Sequence, residues 1–263
     1  MHKARKRFGQ NFLVDQTIIN HIVRSIYPKP DDALVEIGPG KGALTAPLLE
    51  ACKKLQVIEL DRDLIPILLA QFVRYKDFKI HQADALKFDF TSLIQEDKAL
   101  RVVGNLPYNI STPLIFHLLS FGDKIRDMHF MLQREVVLRL AAQPGDKNYG
   151  KLSVMTQYHC AVSHLFDVPP ESFRPAPKVD SAIVRLEPYS EKPLVATDPN
   201  HLETLVGTAF QQRRKTLRNA LRSYEDDIVA LGDAIEIDFS LRAENLSVAD
   251  FVSLSNALAG CNN

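Results

Sequence analysis

The run Asn105-Leu106-Pro107-Tyr108 brings together residue types suited to holding a planar amine. Asn105 offers a neutral side-chain carbonyl as an acceptor. Pro107 biases Leu106 away from helical geometry, which presents the Leu106 carbonyl as a second acceptor. Two acceptors on one amine draw its hydrogens out of the ring plane and return the lone pair to nitrogen. The exocyclic amine of adenine needs that help, because its lone pair is delocalised into the ring. Orientation and electrostatics would then carry the reaction, with little acid–base work. Tyr108 adds a stacking face, worth about 1–3 kcal/mol per base. The plainer reading is a turn, since Asn-x-Pro is a common exit from a strand. A second aromatic candidate is Phe173, in Phe173-Arg174-Pro175-Ala176-Pro177-Lys178, with Pro169 and Pro170 just before it. The stiff loop can hold Phe173 over the other side of a base, or Phe173 can simply anchor the loop in the core.

An amine held in this way needs an electrophile beside it. Glu36-Ile37-Gly38-Pro39-Gly40-Lys41-Gly42 follows a short apolar run and precedes a helical one. Glycines there permit a tight turn and close approach to a ligand, though a structural turn would use them too. Glu59 stands 21 residues after Gly38, at the end of the next apolar run, where an acid accepts hydrogen bonds from ribose hydroxyls. Asp84 lies past a third such run. Two adenosine-bearing cofactors fit, a nicotinamide dinucleotide and S-adenosylmethionine. The spacing Gly38-x-Gly40-x-Gly42 departs from the dinucleotide pattern GxGxxG and favours S-adenosylmethionine.

These residues need a frame. Asp15 is a good N-cap for a helix with Ile18, Ile19, Ile22, Val23 and Ile26 on one face, stopped by Pro28 and Pro30. Strands are expected at 33–37, 55–58, 78–80, 101–103 and 128–132. Helices are expected at 44–52, at 64–72 and from Ser111, with Ser111 as N-cap and Pro113 in the first turn. That alternation predicts an α/β fold, a mostly parallel sheet with helices on both faces. Joined to the S-adenosylmethionine reading, the expectation is a Rossmann-like methyltransferase sheet. Beyond about residue 150, a helix is expected at 151–162. Strands at 165–168 and 182–186 would form an antiparallel pair closing one sheet edge. Pro188 and Pro193 mark a linker. The division expected is residues 1–188 as the cofactor domain and 189–263 as a small all-helical RNA-binding domain.

The 263 residues carry 32 basic and 32 acidic side chains, but unevenly: residues 1–188 hold 25 and 21, and residues 189–263 hold 7 and 11. Basic residues cluster at Lys3, Arg5, Lys6 and Arg7 and again at Arg213, Arg214, Lys215, Arg218 and Arg222. Such patches bind phosphates even in a neutral chain. On one ideal helix from Val206, the residues Gln211, Lys215, Arg218 and Arg222 would form a basic ridge within about 60°. Lys215, Arg218 and Arg222 are therefore the RNA-binding candidates, with a solvated face as the ordinary alternative. Cys52, Cys160 and Cys261 show no paired spacing, and the histidines no ligand-like spacing, so no metal is expected. No apolar run approaches the roughly 20 residues of a membrane helix, and no apolar segment follows the basic N-terminus. A cytoplasmic monomer is expected.

Five stretches, in order, make the chain resemble the KsgA-type adenine dimethyltransferases of small-subunit ribosomal RNA over essentially its whole length. They are 7–13 (Arg-Phe-Gly-Gln-Asn-Phe-Leu), 36–40, 104–111 (Gly-Asn-Leu-Pro-Tyr-Asn-Ile-Ser), 149–154 and 173–181. The run 213–219 fits that family's helical tail, and no motif position departs from the pattern. The resemblance implies S-adenosylmethionine as cofactor and the small ribosomal subunit with its RNA as partner. It implies transfer of two methyls to each of two adjacent adenines near the 3′ end of the RNA, on an assembling subunit. It also adds Asn11 and Leu13 to Gly38, Glu59, Asp84 and Asn105 as cofactor contacts. Methylation of large-subunit RNA and a non-catalytic assembly-checkpoint role are the alternatives.

Overall fold

The computed structural model describes residues 11–96, 98–224, 228 and 235–261. The basic residues Lys3, Arg5, Lys6 and Arg7, and the start of the 7–13 stretch, lie outside the described residues.

The chain divides into two compact units, one of residues up to Val137 with Ala161–Ser190, the other of Leu138–Cys160 with the chain from Glu191 onward. In the first unit, Asp15 caps the helix α1 (Gln16–Ile26), accepting hydrogen bonds from the backbone N–H groups of Thr17 and Ile18. The helix stops one residue before Pro28, where Tyr27 turns left-handed at φ 49°. After β1 (Phe12–Leu13) and α1 come β2 (Ala33–Ile37), α2 (Thr45–Cys52), β3 (Lys54–Glu59), α3 (Ile65–Gln71), β4 (Asp77–Gln82) and β5 (Leu100–Asn105). There follow α4 (Ser111–Leu119), β6 (Ile125–Gln133), α5 (Arg134–Ala141), α6 (Lys151–His159), β7 (Cys160–Val168), β8 (Phe173–Arg174) and β9 (Ser181–Pro188).

Seven strands form one sheet in the order β4-β3-β2-β5-β6-β9-β7, and β1 pairs with β8 in a separate two-stranded ladder. The strands β4, β3, β2, β5 and β6 are parallel, and β9 runs antiparallel to β6. Leu34, Val57, Val103, Met131 and Ile183 pack with α1, α2 and α3 in one cluster. The alternate residues Val35, Val102, Phe130 and Val184 are equally buried, so the sheet is covered on both faces, as parallel sheets require.

The chain leaves β2 outward to β3 and β4, then returns to β5 on the other side of β2. That reversal places a crevice at the carboxyl ends of β2 and β5, the place where open α/β sheets bind ligands. Gly104 lets the two strands approach, since a Cβ there would stand 2.6 Å from the Ile37 carbonyl oxygen. At the opposite ends of the same strands, buried Arg101 is ion-paired with Asp32 and, at 2.9 Å, with Asp127, and donates to the Ile26 carbonyl.

The second unit is helical: α6, α7 (Pro199–Gln211), α8 (Leu217–Ala220) and α9 (Val248–Cys261), with α6 and α9 both packed on α7. Leu202, Leu205, Val206 and Ala209 are the buried stripe of α7.

Three expected elements differ. Ser111 is not an N-cap; Ile110 holds that position, and the Ser111 hydroxyl instead donates back to the Tyr108 carbonyl at 3.1 Å. The helix expected at 151–162 ends at His159, because from Cys160 the chain satisfies its backbone in the sheet beside β9. The single helix expected through residues 206–222 is broken. Gln212 leaves helical geometry at φ −122°, ψ 58°. The Arg213 guanidinium turns to the carbonyls of Lys147 and Tyr149 and to the Glu244 carboxylate. Thr216 starts α8, whose first amides bond to the carbonyls of Leu241 and Phe239. Tertiary hydrogen bonds thus override the helical periodicity of the sequence.

Candidate active site

A cavity of about 360 Å³ opens at the carboxyl ends of β2, β3 and β5. Asn11, Leu13, Gly38, Glu59, Asp84, Asn105, Leu106, Pro107, Tyr108 and Phe173, ten residues drawn from six segments, all line it. Lys215, Arg218 and Arg222 belong to the helical unit, where each is exposed. The ridge expected of them on one helix does not exist, because α7 ends before Gln212 and Lys215 lies beyond it.

Gly38 turns the chain out of β2 at φ +65°. Two residues on, Gly40 faces Phe12 so closely that a Cβ would stand 3.3 Å from the ring. The Lys41 ammonium sits 4.5 Å from the centre of the same ring. Glu59 ends β3 almost buried. Burial raises its pKa, and the backbone N–H groups of Asp61, Gly40 and Leu60 pull the other way. The Asp61 N–H lies 2.7 Å from Glu59 Oε1. Asp84 accepts the backbone N–H of Leu86 at 3.0 Å, which fixes the loop after β4.

Asn105 ends β5. Its Nδ2 donates to the Asn11 carbonyl at 3.2 Å, so the side-chain amide has a defined orientation. The Leu106 N–H extends the ladder to β6 by donating to the Met131 carbonyl. Tyr108 is half-buried, and its hydroxyl lies 2.9 Å from Ser181 Oγ. Phe173 reconciles the two readings offered for it: it is 1% exposed, packs in the core cluster of the first unit, and also forms part of the cavity wall.

Glu36 and Phe12 line the cavity as well and were not singled out from sequence. The signal for Glu36 was there, an acid within an apolar strand run. It is buried against the Thr45 hydroxyl at 2.7 Å. Burial, with a smaller push from Glu59, carries its pKa up to about 8 against the opposing Thr45 bond. Among the described residues, no cluster of His, Cys, Asp and Glu is placed to hold a metal, and no helix is long and apolar enough to cross a membrane.

A glycine turn at a switch point, a buried acid one strand over and a neutral acceptor run on the next strand define a nucleoside-cofactor transferase. The ribosomal RNA adenine dimethylase family model matches residues 1–260, and the chain belongs to that family. It is a methyltransferase acting on ribosomal RNA adenine, with S-adenosylmethionine as donor. It is 68% identical over 257 residues to ribosomal RNA small subunit methyltransferase A of Saccharophagus degradans, covering 98% of this chain and 95% of the relative. Identity to the protein of the same name from Pseudomonas aeruginosa is 58% over 261 residues, covering 98% and 96%. The structure of a dimethyladenosine transferase from Plasmodium falciparum matches with TM-score 0.76 at 28% identity, covering 95% and 97%. The 23S rRNA methyltransferase ErmE shares the fold, with TM-score 0.74 at 24% identity, covering 95% and 100%.

Proposed function

We propose that this chain dimethylates the exocyclic amines of two adjacent adenines near the 3′ end of small-subunit (16S) ribosomal RNA, on the assembling subunit, as a cytoplasmic monomer. The observation that carries the reading is the Asn105 Nδ2 bond to the Asn11 carbonyl within the cavity that Glu59 and Asp84 share. With the nitrogen end engaged, the Oδ1 end is the acceptor left for an amine. The names of the relatives at 68% and 58% identity support the small subunit as substrate.

The cavity fits the cofactor. Its volume falls in the range of small-molecule sites, roughly 300–1,000 Å³. The Gly38–Gly40 turn admits close backbone approach, and a nearly buried carboxylate suits ribose hydroxyls. When bound, S-adenosylmethionine supplies an electrophilic methyl on a sulfonium sulfur. Asn11, Leu13, Gly38, Glu59 and Asp84 hold it. Asn105 Oδ1 and the Leu106 carbonyl would accept hydrogen bonds from the amine N–H groups and so free the nitrogen lone pair for transfer, the surplus proton of the methylated amine passing to solvent. Pro107 keeps Leu106 out of helical geometry. Tyr108 stacks on the base, and Phe173 braces the wall beside it. The exposed Lys215, Arg218 and Arg222 of the helical unit meet RNA phosphates.

The test uses labelled S-adenosylmethionine with under-methylated small subunits, under-methylated large subunits as the comparison, and Asn105→Ala beside the wild type. Label on two adjacent small-subunit adenines, lost in the variant, is expected. Label on large-subunit RNA would replace the substrate. Subunit binding with no label from the wild type would leave only an assembly role.

A further inference from the structure

We propose that Ser181 is a positioning residue for methyl transfer, holding the stacking ring of Tyr108 by its hydroxyl at the mouth of the cavity. The inference rests on the reading of Tyr108 as the base platform and extends it to a residue outside the cavity wall.

Tyr108 and Ser181 are 73 residues apart in sequence, yet their oxygens lie 2.9 Å apart. Ser181 is 1% exposed and opens β9, directly opposite Gln133 at the end of β6. Its backbone is fixed from the preceding residue, where the Asp180 carbonyl accepts the Arg134 N–H at 2.9 Å. The Ser181 hydroxyl is thus a rigid point supplied by the central sheet. The other end of Tyr108 is also tied down, since its carbonyl accepts the Ser111 hydroxyl at 3.1 Å. Tyr108 is therefore gripped at its backbone and at its para oxygen, which sets the direction of the ring's long axis. Neither bond is made through the π-face, which is what a base would stack on.

Burial raises the Tyr108 pKa and the Ser181 bond offsets part of the rise; the phenol stays neutral, and either hydroxyl can donate in this bond. Without the Ser181 oxygen, the half-buried phenol would have to seek another partner or water, and the ring would lean with it. A platform that leans holds the base less well and misplaces the amine relative to Asn105. Neither change touches the wall formed by Gly38, Glu59 and Asp84.

The experiment compares wild type, Ser181→Ala, Ser181→Thr, Tyr108→Phe and the double variant Ser181→Ala/Tyr108→Phe on under-methylated small subunits. S-adenosylmethionine affinity is measured by calorimetry, and the Tyr108 ring is followed by NMR in tyrosine-labelled protein. Loss of one neutral hydrogen bond predicts a KM for the subunit raised about fivefold in Ser181→Ala and in Tyr108→Phe, with the double variant no worse than either. Ser181→Thr restores the wild-type KM, cofactor affinity stays within about twofold, and the Tyr108 ring resonances of Ser181→Ala move toward those of an unrestrained tyrosine. Additive losses in the double variant, a wild-type KM in Ser181→Ala, or unmoved ring resonances would overturn the proposal. Wild-type protein that transfers no methyl to adenine would instead overturn the functional reading, with the ring resonances still deciding whether Ser181 holds Tyr108.

Discussion

The side-chain nitrogen of Asn105 donates to the backbone oxygen of Asn11, joining the end of β5 to the residue just before β1. Through this bond the residue proposed to orient the target amine is aligned by a residue proposed to contact the cofactor. Asn105→Ala removes both the acceptor and the alignment. Loss of one preorganised polar group at a reacting centre lowers kcat by about 10²–10³. Single-turnover methyl transfer checks this, with calorimetry showing cofactor affinity reduced far less. A kcat within threefold of wild type would assign the amine to another acceptor.

Glu59 is a carboxylate held in place by backbone N–H groups at the end of β3. Its hydrogen bonds to ribose would be charge-assisted, so Glu59→Gln weakens S-adenosylmethionine binding about 10–100-fold. Because burial raises the Glu59 pKa, acidification protonates it sooner than an exposed glutamate. Cofactor affinity in the wild type should therefore fall as the pH drops into the mildly acidic range, and the fall should be absent in Glu59→Gln.

Glu36 predicts a pH dependence of the opposite kind, in stability. Its pKa lies near 8 in the fold against 4.5 in an open chain, so the folded state holds an extra proton between those values. The stability this contributes is complete below about 4.5 and is lost as the pH rises through 8. Glu36→Gln keeps a partner for the Thr45 hydroxyl and removes the titration. At about 1.4 kcal/mol per pKa unit, the wild type should lose a few kcal/mol relative to the variant between the acidic and basic ends of that window. Denaturant unfolding across the window measures it, and parallel pH profiles would mean that Glu36 is ionised in the fold.

Arg101 pairs with Asp32 and Asp127 at the ends of β2, β5 and β6 remote from the cavity. Arg101→Met leaves the two buried carboxylates with the exposed Arg126 as their remaining arginine partner, at a cost of about 3–5 kcal/mol. Chemical denaturation should show that loss, while the folded fraction binds cofactor as the wild type does. A stability change below about 1 kcal/mol would show that water or Arg126 replaces the missing charge.

If Lys215, Arg218 and Arg222 neutralise RNA phosphates, replacing all three by alanine should flatten the dependence of subunit affinity on salt. The slope of log K against log salt should fall by about 2–3 units. Equal slopes would return the three side chains to an ordinary solvated face.

Much of the frame was readable in the sequence. Residues 33–37 form β2 as expected, because a short apolar run between Pro30-Asp31-Asp32 and Gly38 has few alternatives. The glycine turn, Glu59, Asp84 and Asn105 were readable because each sits at the carboxyl end of a strand or just beyond one, and alternation predicts those ends to lie together. What could not be read is what distant chain segments do to one another. The ladder of Phe12–Leu13 with Phe173–Arg174 is too short to carry any periodicity, and its strands are some 160 residues apart. Asn11 and Leu13 were accordingly known only through resemblance. The break at Gln212 has the same origin, since the carbonyls that claim Arg213 belong to Lys147 and Tyr149.

That short ladder sets Leu13 opposite Phe173 and Phe12 opposite Arg174, and Val14 and Asp15 also donate to the Ser172 carbonyl. One rung therefore belongs to two rooms. In the proposed function Leu13 stands on the donor side and Phe173 on the acceptor side, and they are neighbours across a single pair of backbones. A substitution or insertion that retunes the proline loop toward a different base must drag the donor wall with it. Altered target choice in this loop would carry a signature in cofactor affinity, so the two specificities are free to drift only in step.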